Sequence, residues 1–292
     1  MIFYFTGTGN SLYAAKRLDN DLISIPQAIH DSVKIYSAEK IGIVCPVYGH
    51  EMPMMVKDFL KNAEFVTDYF YVVLTYGNRH AGAAKWAREF LVSIGKSADY
   101  INVLLTVDNF LPSFDMAEQV KTAAAKNIPE QIAAIKLDID ARRKFISPVT
   151  DEDIAWHNEF VRQNKYVVAN MDKAIYHITS SCIGCGICTK VCPAGCIHLE
   201  NQRAVNTSEN CQMCMACVHH CPEYAIRLNI GEMNPEARYH NPNIRLNEIV
   251  EANEQSKYRK EAKYNENEMY YIDTDSGSDY SELRGKYLCA ER

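Results

Sequence analysis

The sequence has no long apolar run and no excess of basic residues. None of its segments approaches the roughly 18–20 consecutive apolar residues of a membrane-spanning helix. The first residues, MIFYFTGTGNS, lack the charged region of a signal peptide. With 31 Lys and Arg against 37 Asp and Glu, the net charge of −6 argues against a nucleic-acid surface. We therefore expect no membrane span, no export signal and no nucleic-acid partner.

Cysteine, in contrast, is abundant and patterned. Eight of the 11 cysteines lie in two copies of C-x2-C-x2-C-x3-C-P, which begin at Cys182 and Cys211. Structural zinc would call for four ligands in two pairs, and disulfides would need an exported chain. Three closely spaced thiolates and a fourth further on instead suit the iron corners of a [4Fe–4S] cubane. The spacing predicts two such clusters. The many free thiols indicate a reducing cytoplasm, and low-potential clusters suggest an anaerobic or microaerobic setting.

The two runs resemble those of bacterial-type ferredoxins, in which each run lends its fourth cysteine to the other cluster. The resemblance implies that cluster 1 is held by Cys182, Cys185, Cys188 and Cys221. It implies that cluster 2 is held by Cys211, Cys214, Cys217 and Cys192. A ninth cysteine, Cys196, stands opposite Ala225 in the repeat, and we interpret it as a packing residue.

The amino-terminal half alternates short apolar runs with amphipathic stretches. Strands are predicted at residues 1–5, 22–25, 41–45, 69–75 and 100–107. Strands that alternate with helices predict an α/β fold with a parallel sheet and helices on both faces. In such sheets, ligands bind at the carboxyl ends of the strands.

Three loops at these predicted strand ends carry the candidate binding residues. The first strand runs into TGTGNS and then a helix, an arrangement that suits a phosphate group. The loop lacks the lysine of a P-loop, and Leu12 stands where a dinucleotide-binding loop needs Gly or Ala. The other two loops are PVYG at residue 46 and TYGN at residue 75.

This half resembles the flavodoxin family, whose five-stranded parallel sheet has the order 2-1-3-4-5. The resemblance implies an FMN cofactor. Its phosphate would be held by Thr6, Gly7, Thr8, Gly9, Asn10 and Ser11. Its ring would lie between two loops, Pro46, Val47, Tyr48 and Gly49 on one side and Thr75, Tyr76, Gly77 and Asn78 on the other. Asn109 and Arg79 are further candidates for contact with the flavin.

The chain as a whole resembles flavodoxin–ferredoxin fusion proteins. The implied domains are an FMN domain at 1–147, a helical connector at 148–175, a small α+β ferredoxin-like domain at 176–230 and a partly flexible extension at 231–292. The implied function is electron transfer between FMN and the two clusters, which links one-electron and two-electron redox partners. The alternative is an FMN-dependent reductase of a small organic substrate, with His50, His80 and Tyr76 as candidate proton donors. The sequence leaves open whether the partners are redox proteins or a small-molecule substrate, and whether the chain forms a homodimer.

Overall fold

The computed structural model describes residues 1–168, 175–207 and 210–258. Its largest element is a six-stranded parallel sheet. In chain order its strands are β1 (Ile2–Tyr4), β2 (Leu22–Ser24), β4 (Lys40–Pro46), β6 (Tyr69–Tyr76), β7 (Tyr100–Leu105) and β8 (Phe145–Ile146). A separate parallel pair is formed by β3 (Ile35–Ser37) and β5 (Glu64–Val66). The order across the main sheet is β2-β1-β4-β6-β7-β8.

The five strands predicted from the sequence are present, but the sheet contains a sixth, β8, that was not predicted. Strand β8 has only two residues, which is too short for a hydrophobic period to be visible. It is held by its neighbour: the Phe145 amide donates to Asp99 O at 3.0 Å, and the Ser147 amide donates to Ile101 O at 2.8 Å. Tertiary pairing therefore creates this edge strand.

Helices cover both faces of the sheet. The helices of this part of the chain are α1 (Asn10–Leu18), α2 (Ile25–Ala28), α3 (Met54–Asn62), α4 (Ala83–Ser93), α5 (Met116–Lys121), α6 (Ile128–Asp140) and α7 (Asp151–Val168). The central strands are apolar on both faces because both are covered, and Ile43 and Val72 are fully buried. This core fixes the strand ends, from which the site loops project.

The cysteine-rich segment forms a small α+β unit. Strand β9 (Tyr176–Ile178) pairs antiparallel with β12 (Ile226–Leu228), and β10 (Ile197–Glu200) pairs antiparallel with β11 (Arg203–Asn206). Helix α8 (Ile187–Val191) contains the third cysteine of the first run, and α9 (Ala216–His219) contains the third cysteine of the second run. The sequence repeat is thus also a structural repeat.

The part of the extension that the structure describes packs on the rest of the chain. Its helix α10 (Leu246–Asn253) buries Ile249 and Ala252 in the same apolar core as the sheet. Residues 259–292, and with them the apolar segment at 269–272 and Cys289, lie outside the described residues. None of the helices that the structure describes is long and apolar enough to cross a membrane.

Candidate functional site

A cavity of about 590 Å³ opens at the carboxyl ends of β1, β4, β6 and β7. Its size is typical of sites for small molecules and cofactors. The predicted residues that line it are Thr6, Gly7, Thr8, Asn10, Ser11, Pro46, Val47, Tyr48, Gly49, His50, Thr75, Tyr76, Gly77, Arg79 and Asn109. The three loops predicted from sequence therefore converge on one space.

Three predicted residues do not line this cavity. Gly9, at φ +100°, lies under the carboxy-terminal extension, because an added Cβ would stand 3.0 Å from Asn241 Cβ. Asn78 is exposed. His80 packs edge-on to Tyr76, with ring centroids 5.1 Å apart, and its Nδ1 lies 3.9 Å from an Asp153 carboxylate oxygen.

The hydroxyl groups of the TGTGNS loop are already oriented by hydrogen bonds. The Ser11 and Thr75 hydroxyls share a bond of 2.8 Å, which joins the first loop to the end of β6. The Thr8 hydroxyl accepts from Asn109 Nδ2 at 2.9 Å. The Thr6 hydroxyl accepts from the Gly9 amide at 3.1 Å. The loop is thus fixed before any ligand arrives.

Both polar atoms of the Asn10 side chain make hydrogen bonds, and these bonds join the first loop to two other segments of the chain. Its Nδ2 donates to Val107 O at 2.9 Å. Its Oδ1 accepts from the Tyr239 hydroxyl at 2.6 Å and from Asn241 Nδ2 at 3.1 Å. The backbone N–H of Asn241 also donates to Thr8 O at 2.8 Å. The extension therefore fastens the loop that the sequence assigned to a phosphate.

The cysteine-rich unit forms one wall of the cavity through Gln212, Met213 and Met215. The Met55 amide, in the first turn of α3, donates to Gln212 Oε1 at 2.9 Å, so a side chain of this unit satisfies a helix-end donor. At Gly7 the two parts are in tight contact, because an added Cβ would lie 2.4 Å from Cys214 O. Only glycine permits this approach.

Helix α7, predicted as part of a connector, covers the cavity on another side. His157, Phe160 and Val161 line the cavity from α7. Phe160 contacts His50 with ring centroids 4.6 Å apart, and His50 is only 4 % exposed. Burial is the largest cause that lowers the pKa of the His157 imidazole below its usual value.

Two cationic side chains also line the cavity, Lys57 and Arg79. Lys57 is paired with Glu51. The Arg79 guanidinium stacks on the Trp156 ring of α7, 3.6 Å from its centroid. This stack connects the loop after β6 to the covering helix.

The predicted cluster ligands surround two further small cavities. The first is lined by Cys182, Cys185, Cys188 and Cys221, and the second by Cys192, Cys211, Cys214 and Cys217. Each group contains three cysteines of one run and the last cysteine of the other. Cys196 also lines the second cavity. The ten cysteines within the described ranges are all free of disulfides.

Backbone amides donate hydrogen bonds to four of the candidate ligand sulfurs. Amides donate to the sulfurs of Cys182, Cys192, Cys211 and Cys221 at 3.5, 3.2, 3.4 and 3.2 Å. Such donors stabilise negative charge on thiolates and tune cluster potentials. The sulfur donors and their surroundings thus fit a cubane. In the described ranges no three His, Cys, Asp or Glu side chains are grouped as ligands of a single metal ion.

The two cysteine cavities differ in exposure. Cys185 is exposed at the first, and Ile183 beside it is 64 % exposed. At the second, Cys192, Cys214 and Cys217 are buried. The second cysteine cavity also adjoins the large cavity, because Gln212 lines both.

Sequence reasoning missed the walls supplied by α7 and by the cysteine-rich unit. His157, Phe160, Gln212, Met213 and Met215 belong to this group. The last three lie between the cysteines of the second run, at positions where the cysteine spacing specifies no residue type. No local pattern shows which neighbouring surface they contact.

Residues 174–222 match the family model of the 4Fe-4S dicluster domain. The chain thus contains a 4Fe-4S dicluster domain, the kind of domain that carries electrons on iron–sulfur clusters. A curated relative, from Methanosarcina acetivorans, is one of the subunits of an ion-translocating oxidoreductase complex and is 49 % identical over 47 residues. That match covers 16 % of this chain and 18 % of the relative, so it extends over a small part of each protein.

Proposed function

We propose that residues 1–147 form a flavodoxin-like domain that binds FMN, and that the chain passes electrons between FMN and two [4Fe–4S] clusters. Residues 148–175 would connect this domain to the dicluster domain at 176–230, and residues 231–292 would form the extension. The observation that carries the proposal is the cavity, because the three loops of the sequence resemblance all line it. The sheet order from β2 through β7 is also the one expected of a flavodoxin-like fold.

The chain's own residues would hold FMN as follows. The fixed hydroxyls of Thr6, Thr8 and Ser11, with the amino-terminal end of α1, would bind the phosphate. Tyr48 and Tyr76 would border the ring. Bound FMN supplies the ability to exchange two electrons one at a time, which matches one-electron clusters to two-electron partners.

The lining of the two cysteine cavities supports the ferredoxin arrangement, in which each run supplies the fourth cysteine ligand of the other cluster. Cluster 1 would be held by Cys182, Cys185, Cys188 and Cys221, and cluster 2 by Cys192, Cys211, Cys214 and Cys217. Cluster 2 would then adjoin the flavin cavity, and cluster 1 would lie nearer to solvent at the exposed Cys185. This order makes cluster 1 the exchange point with partner proteins.

Redox partner proteins are part of the proposal. The relative's name places it in an ion-translocating oxidoreductase complex, and we extend to this chain only electron exchange with other proteins. We assign the protein to the reducing cytoplasm, since eight ligand thiolates must escape oxidation.

Cofactor analysis tests the proposal. Anaerobically purified protein should contain FMN and about eight irons, four for each cubane. Tyr48→Ala should weaken FMN binding and leave the iron content unchanged. A protein with only about four irons would refute the two-cluster assignment, and a protein that binds no flavin would refute the FMN site.

A second candidate function is reduction of a small organic substrate at the flavin. It is favoured by α7, which buries His50 against Phe160. A pure electron carrier needs only an exposed cofactor edge, whereas a reductase benefits from an enclosed site with proton donors.

A further inference from the structure

The large cavity extends past the three cofactor loops into a region enclosed by α7. There His157, Phe160 and Val161 face the turn that carries His50 and Met52. Met52 is 3 % exposed and Phe160 is 9 % exposed, so these two side chains form an apolar, buried wall, and Val161 lies at its margin.

Two imidazoles lie in this apolar end. The rings of His50 and His157 are 5.7 Å apart, and His157 stacks on Trp86 with centroids 4.0 Å apart. The Nδ1 atom of His157 is buried and makes no hydrogen bond with any residue that the structure describes. Since buried polar atoms are normally satisfied, this atom points to a ligand or a water at the site.

The backbone of His50 supports a functional interpretation. Its φ of +70° lies in the left-handed region that residues other than glycine rarely adopt. The turn is closed by two backbone hydrogen bonds between Tyr48 and Glu51, at 2.8 and 3.1 Å. Strained residues of this kind cluster at sites where a side chain must be held in one position.

We propose that this end of the cavity binds a small planar electron acceptor with a conjugated carbonyl group, such as a quinone or an enone, whose oxygen accepts hydrogen bonds from His50 and His157. The inference rests on the proposed FMN site, which occupies the neighbouring part of the cavity. Apolar walls suit the planar skeleton, and the N–H group of an imidazole can donate a hydrogen bond to a carbonyl oxygen.

The same residues suit the reduced acceptor. Reduction of a conjugated carbonyl takes up two electrons, drawn from the reduced protein, and two protons, delivered through the imidazoles and from solvent. The oxygen gains negative charge on the way. Arg79, which lines the cavity, and the two imidazole donors would stabilise that charge.

The test uses 4-chlorophenol, whose phenolate mimics the reduced acceptor and gives a long-wavelength charge-transfer band when it stacks on oxidised flavin. Titration into the FMN-loaded protein should produce a saturable band. His50→Gln and His157→Gln should each raise the Kd at least about tenfold, equivalent to about 1.4 kcal/mol. His30→Gln is the control, since His30 stacks on Tyr258 away from the cavity. Cluster absorbance and circular dichroism verify that each variant is folded.

The outcomes separate this inference from the function on which it rests. A protein that binds no FMN refutes both. Bound FMN without a band, or an unchanged Kd in both folded histidine variants, refutes the subsite alone. Should the histidine variants not fold, Val161→Trp serves instead, because Val161 is 39 % exposed and a larger ring there can be tolerated. It should abolish the band and leave FMN bound, and a band of normal strength would contradict the proposal.

Discussion

Replacing Gly7 by alanine tests the contact between the TGTGNS loop and the cluster 2 loop. An ideal Cβ at Gly7 would stand 2.4 Å from Cys214 O and 3.2 Å from Cys214 Cβ. Ordinary van der Waals contact begins near 3.4 Å, so the two loops must separate by about 1 Å. The atom nearest to the added methyl group is the backbone oxygen of Cys214, so rotation of a side chain cannot relieve the clash.

The expected cost follows from overpacking of a tight contact. Forced insertion of a methyl group costs about 1–3 kcal/mol. For a protein of this size each kcal/mol lowers Tm by roughly 2–4 °C. Electron transfer between cluster 2 and FMN should also slow, because tunnelling decays exponentially with separation. The iron content should stay at about eight, since all ligand cysteines are retained.

The assay compares apparent Tm at one fixed anaerobic scan rate, as unfolding of cluster proteins is irreversible. Stopped-flow absorbance then follows reoxidation of the reduced clusters by FMN. Gly95→Ala is the control: nothing lies within 4 Å of an added Cβ there, so only the strain of its φ of +73° is introduced. That variant should retain the wild-type rate of electron transfer. A Gly7→Ala protein with unchanged Tm and unchanged rate would refute the close contact.

Three further predictions concern the extension, the cluster ligands and pH. Asn253→Ala should lower stability by about 1–3 kcal/mol, since Asn253 is fully buried and its Nδ2 donates to two backbone carbonyls, one in the TGTGNS loop and one in α8. Its FMN affinity should fall as well, whereas Gln255→Ala should affect stability alone. Cys192→Ala should reduce the iron content from about eight to about four, and Cys196→Ala should leave it at about eight. Burial holds the pKa of His157 below 6.5, so its neutral form stabilises the fold above about pH 6.5 and this contribution is lost as pH falls below that value. Apparent Tm should therefore decline less between pH 6.5 and about 5 in His157→Gln than in the wild type.

Each of these predictions has an outcome that contradicts it. Equal FMN affinity in the Asn253 and Gln255 variants would mean that the extension does not position the loop. Loss of four irons from Cys196→Ala would make Cys196 a ligand in place of Cys192. A His157→Gln protein whose Tm declines with acid as steeply as that of the wild type would show that His157 is not the titrating group.

Local patterns identify the elements of this chain well. Strands β4 and β6 were visible because both faces of a parallel strand are buried, which requires a continuous apolar run. The loops TGTGNS, PVYG and TYGN were visible because each follows such a run. Their meeting at one edge follows from the parallel arrangement alone.

Other features have no local signal. Strand β8 forms because backbone carbonyls at and next to β7 accept hydrogen bonds from its amides. The role of Asn10 could not be inferred, since Tyr239 and Asn241, which hold its Oδ1, are more than 200 residues away. The interpretation of residues 148–175 as a connector likewise missed that α7 presents His157 and Phe160 to the cavity.

The sequence by itself determined the chemistry of the cysteines, because three thiolates at fixed short spacing meet an iron cubane whatever surrounds them. It also determined the parallel sheet, through the alternation of apolar runs and helices. Only the tertiary structure decided that the second cysteine run packs on Gly7, that α7 lines the cavity and that the extension holds the TGTGNS loop by hydrogen bonds. These contacts join segments distant in sequence, and their free energy comes from complementary surfaces that form only when the chain is folded.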